Sequence, residues 1–136
     1  MSIPYVNLGG EGPIFHFSHA NGYPPLAYRA LLQSFQADHE VIASLHRPIW
    51  DTPPEPSEMK SWRPLGEDLL LLLEQLGRPN ISVGHSMGAA AIAMAANIGF
   101  KNPSVPKSTR NPSGTPPSIL KTGYKIPAAT GINNRL

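Results

Sequence analysis

Asn80-Ile-Ser-Val-Gly-His-Ser-Met-Gly-Ala-Ala-Ala-Ile92 is the stretch whose reading decides the fold. Ile81 and Val83 alternate as in a short strand, and the Ala-rich run from Met87 to about Ile98 reads as a helix. Between them, Gly84-His-Ser-Met-Gly88 fits the spacing G-x-S-x-G. A serine on so sharp a strand-to-helix turn takes a strained backbone, and side chains at the flanking positions would collide, hence the two glycines. Ser86 then projects above the sheet edge, where the free amides at the start of the helix favour a developing negative charge. Ser86 is therefore a candidate nucleophile. The plainer reading is a glycine-rich turn with an ordinary serine. The fitting strand and helix on either side weigh against it.

Working outward, strand and helix patterns alternate. Pro13-Ile-Phe-His-Phe-Ser18 is a strand signal, and His19-Ala-Asn-Gly22 is a turn. Pro24 and Pro25 open a helix whose Tyr28, Leu31, Leu32 and Phe35 share one apolar stripe. Val41 to Leu45 is a second strand, and Arg47 to Ser61, with four prolines, is an irregular loop. A helix from about Pro64 to Leu76 carries Glu67 and Asp68 in its first turn and buries Leu65, Leu69, Leu72, Leu73 and Leu76. Gly77 is placed to end it. Strands separated by helices of this length imply right-handed crossovers and a parallel sheet covered on both faces. The fold class is α/β.

Charge divides the 136 residues. The formal net charge is +2, but residues 1–100 hold five Lys/Arg and nine Asp/Glu, whereas residues 101–136 hold six Lys/Arg and no acid. The second region also has six prolines, three glycines and no sustained apolar period. Such a composition buries too little apolar area to offset chain ordering, so 101–136 is expected to be a disordered basic tail on a domain spanning 1–100. Its charges lie among prolines with little aromatic interleaving, which argues against specific nucleic-acid binding. The absence of cysteine excludes disulfides and thiolate metal sites. No signal peptide or membrane span is read, and the expected compartment is the cytoplasm.

Phe17-Ser-His-Ala-Asn-Gly-Tyr-Pro24, Arg47-Pro48, Ser61-Trp-Arg-Pro64 and Gly84-His-Ser-Met-Gly88 occur in the order seen in α/β-hydrolase-fold enzymes. From about Ile3 to Ile98 the chain resembles the front half of such an enzyme, in a bacterial-type group with a His-Ala-Asn-Gly version of the usual His-Gly turn. The resemblance implies a partial α/β-hydrolase core, with Ser86 as nucleophile. It also implies that the backbone N–H of Asn21, or else of Ala20, pairs with that of Met87 as an oxyanion hole. Carboxylic ester hydrolysis is the generic expectation, on a small ester-like substrate and with no cofactor. A serine nucleophile disfavours epoxide and haloalkane chemistry, which need a carboxylate there. Tyr23, Trp50 and Trp62 either line an acyl or alkyl pocket or pack as ordinary core and loop aromatics.

A serine hydrolase also needs a base and an orienting carboxylate, which in this fold follow the nucleophile in the order Asp/Glu, then His. After Ser86 there is no Asp, Glu or His. Five histidines precede or adjoin it. His16, between two phenylalanines, reads as a satisfied core residue, His19 as structural, His39 as solvated and His85 as a packing residue. His46 ends a strand on the expected active-site edge and is the one upstream candidate for a base. No pair has metal-ligand spacing. Three readings follow: a truncated or aberrantly terminated serine hydrolase, a non-catalytic pseudo-hydrolase or partner-binding module, and a site completed by a second chain. A sheet ending at its third core strand would also expose an apolar edge and favour self-association.

Overall fold

The computed structural model describes residues 2–77 and 80–101. Four strands form one sheet in the order β1-β3-β2-β4: β1 (Tyr5–Gly9), β2 (Ile14–Ser18), β3 (Glu40–Ser44) and β4 (Asn80–Gly84). β2 lies parallel to both β3 and β4, in a register that sets Phe17 beside Ala43 and Val83, and Ser18 beside Ser44 and Gly84. These are the three expected parallel strands. β1 is an addition that makes the sheet mixed: it pairs antiparallel with β3, with a register shift between Asn7 and Gly9. Its signal is the alternation of half-buried Val6 and Leu8 with exposed Tyr5 and Asn7, too short to stand apart from a loop in the sequence. Among the described residues β4 pairs with β2 alone.

The period-2 alternation of the strands sorts two cores. Phe15, Phe17, Val41 and Ala43 point to one face and bury Leu32, with Leu8, Tyr28, Phe35 and Val83 packed around them. Phe15 and Phe35 stack with ring centroids 4.2 Å apart. On the other side α2 (Arg63–Leu76) packs against α3 (Met87–Lys101), burying Leu65, Leu69, Leu72, Met87, Ala91 and Ala95 around Ile3. Fully burying a leucine contributes roughly 1.5–3 kcal/mol, so the three buried leucines of α2 dominate this layer. Leu73 and Leu76 of the expected stripe are only half-buried, and Gly77 caps the helix in the left-handed conformation.

Two expectations need correcting. The stripe from Tyr28 to Phe35 is not one helix: a 3-10 turn (Pro25–Tyr28), a single α-turn, α1 (Arg29–Leu32), and a second 3-10 turn (Gln33–Phe35) follow one another. The Ser34 hydroxyl donates to the Leu31 carbonyl at 2.8 Å, competing for the acceptor that a continuing α-helix would use. Leu31 consequently lies at the surface while Leu32 is buried. The second correction concerns α2, whose first turn holds no acidic residue because the helix starts at Arg63. Glu67 pairs with Arg63 one turn before it, and Asp68 is buried against Arg47. The basic segment 101–136 lies, apart from Lys101, outside the described residues.

Candidate active site

Because β2 and β4 are parallel neighbours, the chain leaves both at the same sheet edge. There the turn after β2 and the turn after β4 meet. Ser86 sits at the tip of the second turn with φ +52°, the sole non-glycine positive φ among the described residues. Left-handed backbone costs a residue with a Cβ about 1–2 kcal/mol, so packing has to impose it. The packing is backbone on backbone. A Cβ on Gly84 would meet the Ala89 amide nitrogen at 2.5 Å, and one on Gly88 would meet the Ser18 carbonyl oxygen at 2.0 Å. The His85 N–H donates to the Ser18 carbonyl at 3.0 Å, and the Gly88 N–H donates to the His85 carbonyl at 3.0 Å. Ser86 itself is exposed.

The turn after β2 is closed by the Tyr23 N–H donating to the Ala20 carbonyl at 3.2 Å, with Gly22 at φ +77°. His19 staples it. Nδ1 donates to the Ala20 carbonyl at 2.8 Å, and Nε2 accepts the His46 amide at 3.2 Å, which fixes one neutral tautomer. The Ala20 N–H donates to the Tyr28 hydroxyl at 3.2 Å. Of the two amides the sequence left open, Ala20's is thus engaged. Those of Asn21 and Met87 have no partner among the described residues.

The histidines divide sharply from one another. His16 is fully buried, with Nδ1 3.1 Å from the Ser82 hydroxyl and Nε2 without a partner among the described residues. It is therefore not the satisfied core histidine that its flanking phenylalanines suggest. Burial, and then the nearby His46, push its pKa down to about 3. His46 is also buried, its Nε2 2.9 Å from the Ser18 hydroxyl. Burial first and His19 second, whose ring centroid lies 4.6 Å away, push it down to about 4. Burial also lowers His19, against the opposing pull of the Ala20 carbonyl. His39 is half-buried beside Asp38 and edge-on to Phe15. His85 is exposed and contacts the Tyr28 hydroxyl through Nδ1 at 2.9 Å.

The three aromatic candidates separate as well. Trp50 donates from Nε1 to the Leu45 carbonyl at 2.8 Å and packs on the α2–α3 core, with the Arg47 guanidinium 5.6 Å from its ring centroid. It is a packing residue. Tyr23 and Trp62 are both more than half exposed, the first in the turn after β2 and the second at the start of α2. Three groups escape sequence reasoning: the Tyr28 hydroxyl, the Ser18–His46 pair, and the bidentate Arg47–Asp68 pair at 2.6 and 2.8 Å. The hydrogen bonding of the Arg47 guanidinium to the Asp68 carboxylate is the main cause that raises the Arg47 pKa. Among the described residues no group of three or more His, Asp or Glu could hold a metal ion, and no helix is long and apolar enough to cross a membrane.

Parallel strands flanked by helices, with a glycine-bounded turn from β4 into α3, define the described residues as part of an α/β-hydrolase fold. The crystal structure of epoxide hydrolase VrEH1 from Vigna radiata superposes with a TM-score of 0.60 at 20% identity, over 71% of this chain and 36% of that one. An Asp-to-Ser variant of aCif superposes with a TM-score of 0.57 at 25% identity, over 68% of this chain and 30% of that one. The chain therefore spans about a third of the length of these structures. No family model and no curated protein matches it.

Proposed function

We propose that Ser86 is the nucleophile of a serine hydrolase site for small ester-like substrates, with the Asn21 and Met87 amides receiving the oxyanion. One observation carries the reading: a serine in left-handed backbone, on a turn where neither neighbouring glycine admits a Cβ. Strain of this kind persists only where the surroundings over-determine it, and it clusters at functional sites. In the mechanism, Ser86 Oγ attacks the ester carbonyl carbon, the carbonyl oxygen gathers negative charge, and the two amides stabilise it.

The weak point is the proton on Oγ. No Asp, Glu or His follows Ser86 in the sequence, and Oγ has no hydrogen-bond partner among the described residues. His46 is a poor substitute, being held by Ser18 and pushed down to about 4. General-base help is worth 10²–10⁴-fold, so this chain alone is expected to hydrolyse esters little above background. The site thus holds a nucleophile and oxyanion donors, with no carboxylate or imidazole after Ser86 to act as the base. The same absence supports a second reading, a non-catalytic module that keeps the fold and the turn. Epoxide opening, the activity in the name of the Vigna radiata neighbour, calls for a carboxylate where this chain has Ser86.

Turnover of p-nitrophenyl acetate by the chain and by its Ser86→Ala and His46→Ala variants tests the reading. The expected result is weak turnover that Ser86→Ala abolishes. Turnover indifferent to Ser86→Ala would remove Ser86 from the chemistry. Robust turnover lost in both variants would make His46 the base.

A further inference from the structure

We infer that Tyr28 is a positioning residue for the Ser86 site, its hydroxyl locking the 19–23 turn onto the Ser86 turn by bridging Ala20 and His85. The inference rests on the proposal that Ser86 and the amides of Asn21 and Met87 form a reactive centre. Successive amides of a tight turn point in different directions, so a turn rotated to present Ala20's N–H would withdraw Asn21's. The Tyr28 hydroxyl takes the Ala20 N–H at 3.2 Å and thereby selects the orientation that leaves the Asn21 amide unengaged.

The hydroxyl is itself held at both ends. Its ring packs on Phe17 with centroids 4.6 Å apart and stands edge-on to His85 at 5.9 Å. Its hydrogen is available to His85 Nδ1 at 2.9 Å. His85 directly precedes Ser86, and its own amide is tied to the Ser18 carbonyl. Two other attachments join β2 to the Ser86 turn, the His85-to-Ser18 bond and the Gly88 contact. Both grip the strand end, at Ser18 and His19. The Tyr28 bridge reaches one residue further, into the turn that carries Asn21. Packing alone would require just the ring; the two polar contacts of the hydroxyl are what make Tyr28 different from a phenylalanine here.

Tyr28→Phe keeps the ring and removes the bridge, so folding is preserved and the test is clean. Amide exchange by NMR and titration with phenylboronic acid are measured on the 136-residue chain and on its Tyr28→Phe, His85→Ala and His85→Gln variants. The boronic acid forms a bond from boron to Ser86 Oγ, the hydroxyl proton passing to solvent. The resulting tetrahedral boronate places an oxygen at the amide donors, and the buffer rather than a protein group takes up its proton. Tyr28→Phe and His85→Ala are expected to speed exchange of the Ala20 amide tenfold or more, with the Ile42 and Val83 amides unchanged. The same variants should weaken boronate binding about tenfold and shift the ¹⁵N resonance of His85 Nδ1 in Tyr28→Phe. His85→Gln, which keeps an acceptor for the hydroxyl, should recover part of the loss. Unchanged Ala20 exchange in Tyr28→Phe overturns the inference. Faster exchange with unchanged boronate affinity overturns it too, because the hydroxyl would then hold the turn without serving the site. If the unsubstituted chain binds no boronate, the nucleophile reading falls instead, and Ala20 exchange alone decides whether Tyr28 orients the turn.

Discussion

Gly88 lies against Ser18 so closely that a Cβ on the glycine would stand 2.0 Å from the serine's carbonyl oxygen. The first turn of α3 and the end of β2 therefore touch backbone to backbone, and no rotamer change can relieve an added methyl. Gly88→Ala should destabilise the fold by roughly 2–3 kcal/mol, the upper range for forcing a methyl into a packed site. Gly99→Ala, in the same helix, where a Cβ would meet the Leu70 side chain at an ordinary 3.5 Å, should be neutral or stabilising by up to about 1 kcal/mol. Urea unfolding of the two variants checks both. Equal stabilities would mean that the close approach is not required.

Ser86 bears a conformational cost that glycine does not. Ser86→Gly should raise stability by about 1 kcal/mol relative to Ser86→Ala, because alanine keeps the Cβ that left-handed backbone disfavours. Thermal unfolding of the pair measures this. A more stable alanine variant would show that the turn relaxes once the hydroxyl is gone.

Arg47 and Asp68 tie the loop after β3 to α2 through two parallel hydrogen bonds. The Asp68 side chain is nearly buried while a quarter of the Arg47 side chain reaches water, so removing Arg47 strands the carboxylate in poor solvent, at about 3 kcal/mol. Arg47→Ala should lose that much, and Asp68→Ala less, since the guanidinium it leaves behind reaches water. Chemical denaturation with unchanged m-value is the readout. Losses under 1 kcal/mol would place the pair with surface ion pairs.

Acid should unfold the protein early. His16 and His46 are pushed down to about 3 and about 4 from 6.5, so between those limits the unfolded chain binds protons that the native chain does not. Stability is then complete above pH 6.5 and falls as pH drops toward 4, by up to about 1.4 kcal/mol per unit for each histidine. Urea midpoints at pH 7.5, 6 and 5 should decline in that order. His46→Gln should flatten the slope by about one proton's worth. A flat profile would show that water reaches both rings.

Much of the sheet was legible because its parallel strands are short apolar runs flanked by turn residues: Ile14 to Ser18 and Val41 to Ser44 are buried throughout, and Ile81 to Val83, though partly exposed, leads into the glycine-bounded turn. β1 was not, since an edge strand of five residues with one half-buried side gives too short an alternation. The helical stripe from Tyr28 misled for a related reason. Spacing shows which residues could share a face, while the Ser34 hydroxyl and the two 3-10 turns determine that they do not all do so.

What the sequence determined by itself is local. Two glycines around Ser86 imply a sharp turn, because spacing and steric bulk are properties of neighbouring residues, and the absence of any Asp, Glu or His after Ser86 is read directly from the sequence. Tertiary structure alone decided which distant groups meet. It set Gly88 against Ser18, gave the Ala20 amide to Tyr28 and so left Asn21's unengaged, and withdrew His46 into a buried contact with Ser18. These partners lie 70, 8 and 28 positions apart in the chain. The parallel register of β2 with β3 and β4 brings the first and third pairs together, and packing against Phe17 brings the second. Hydrogen bonding and desolvation depend on that three-dimensional neighbourhood, so no periodicity in the sequence could have assigned them.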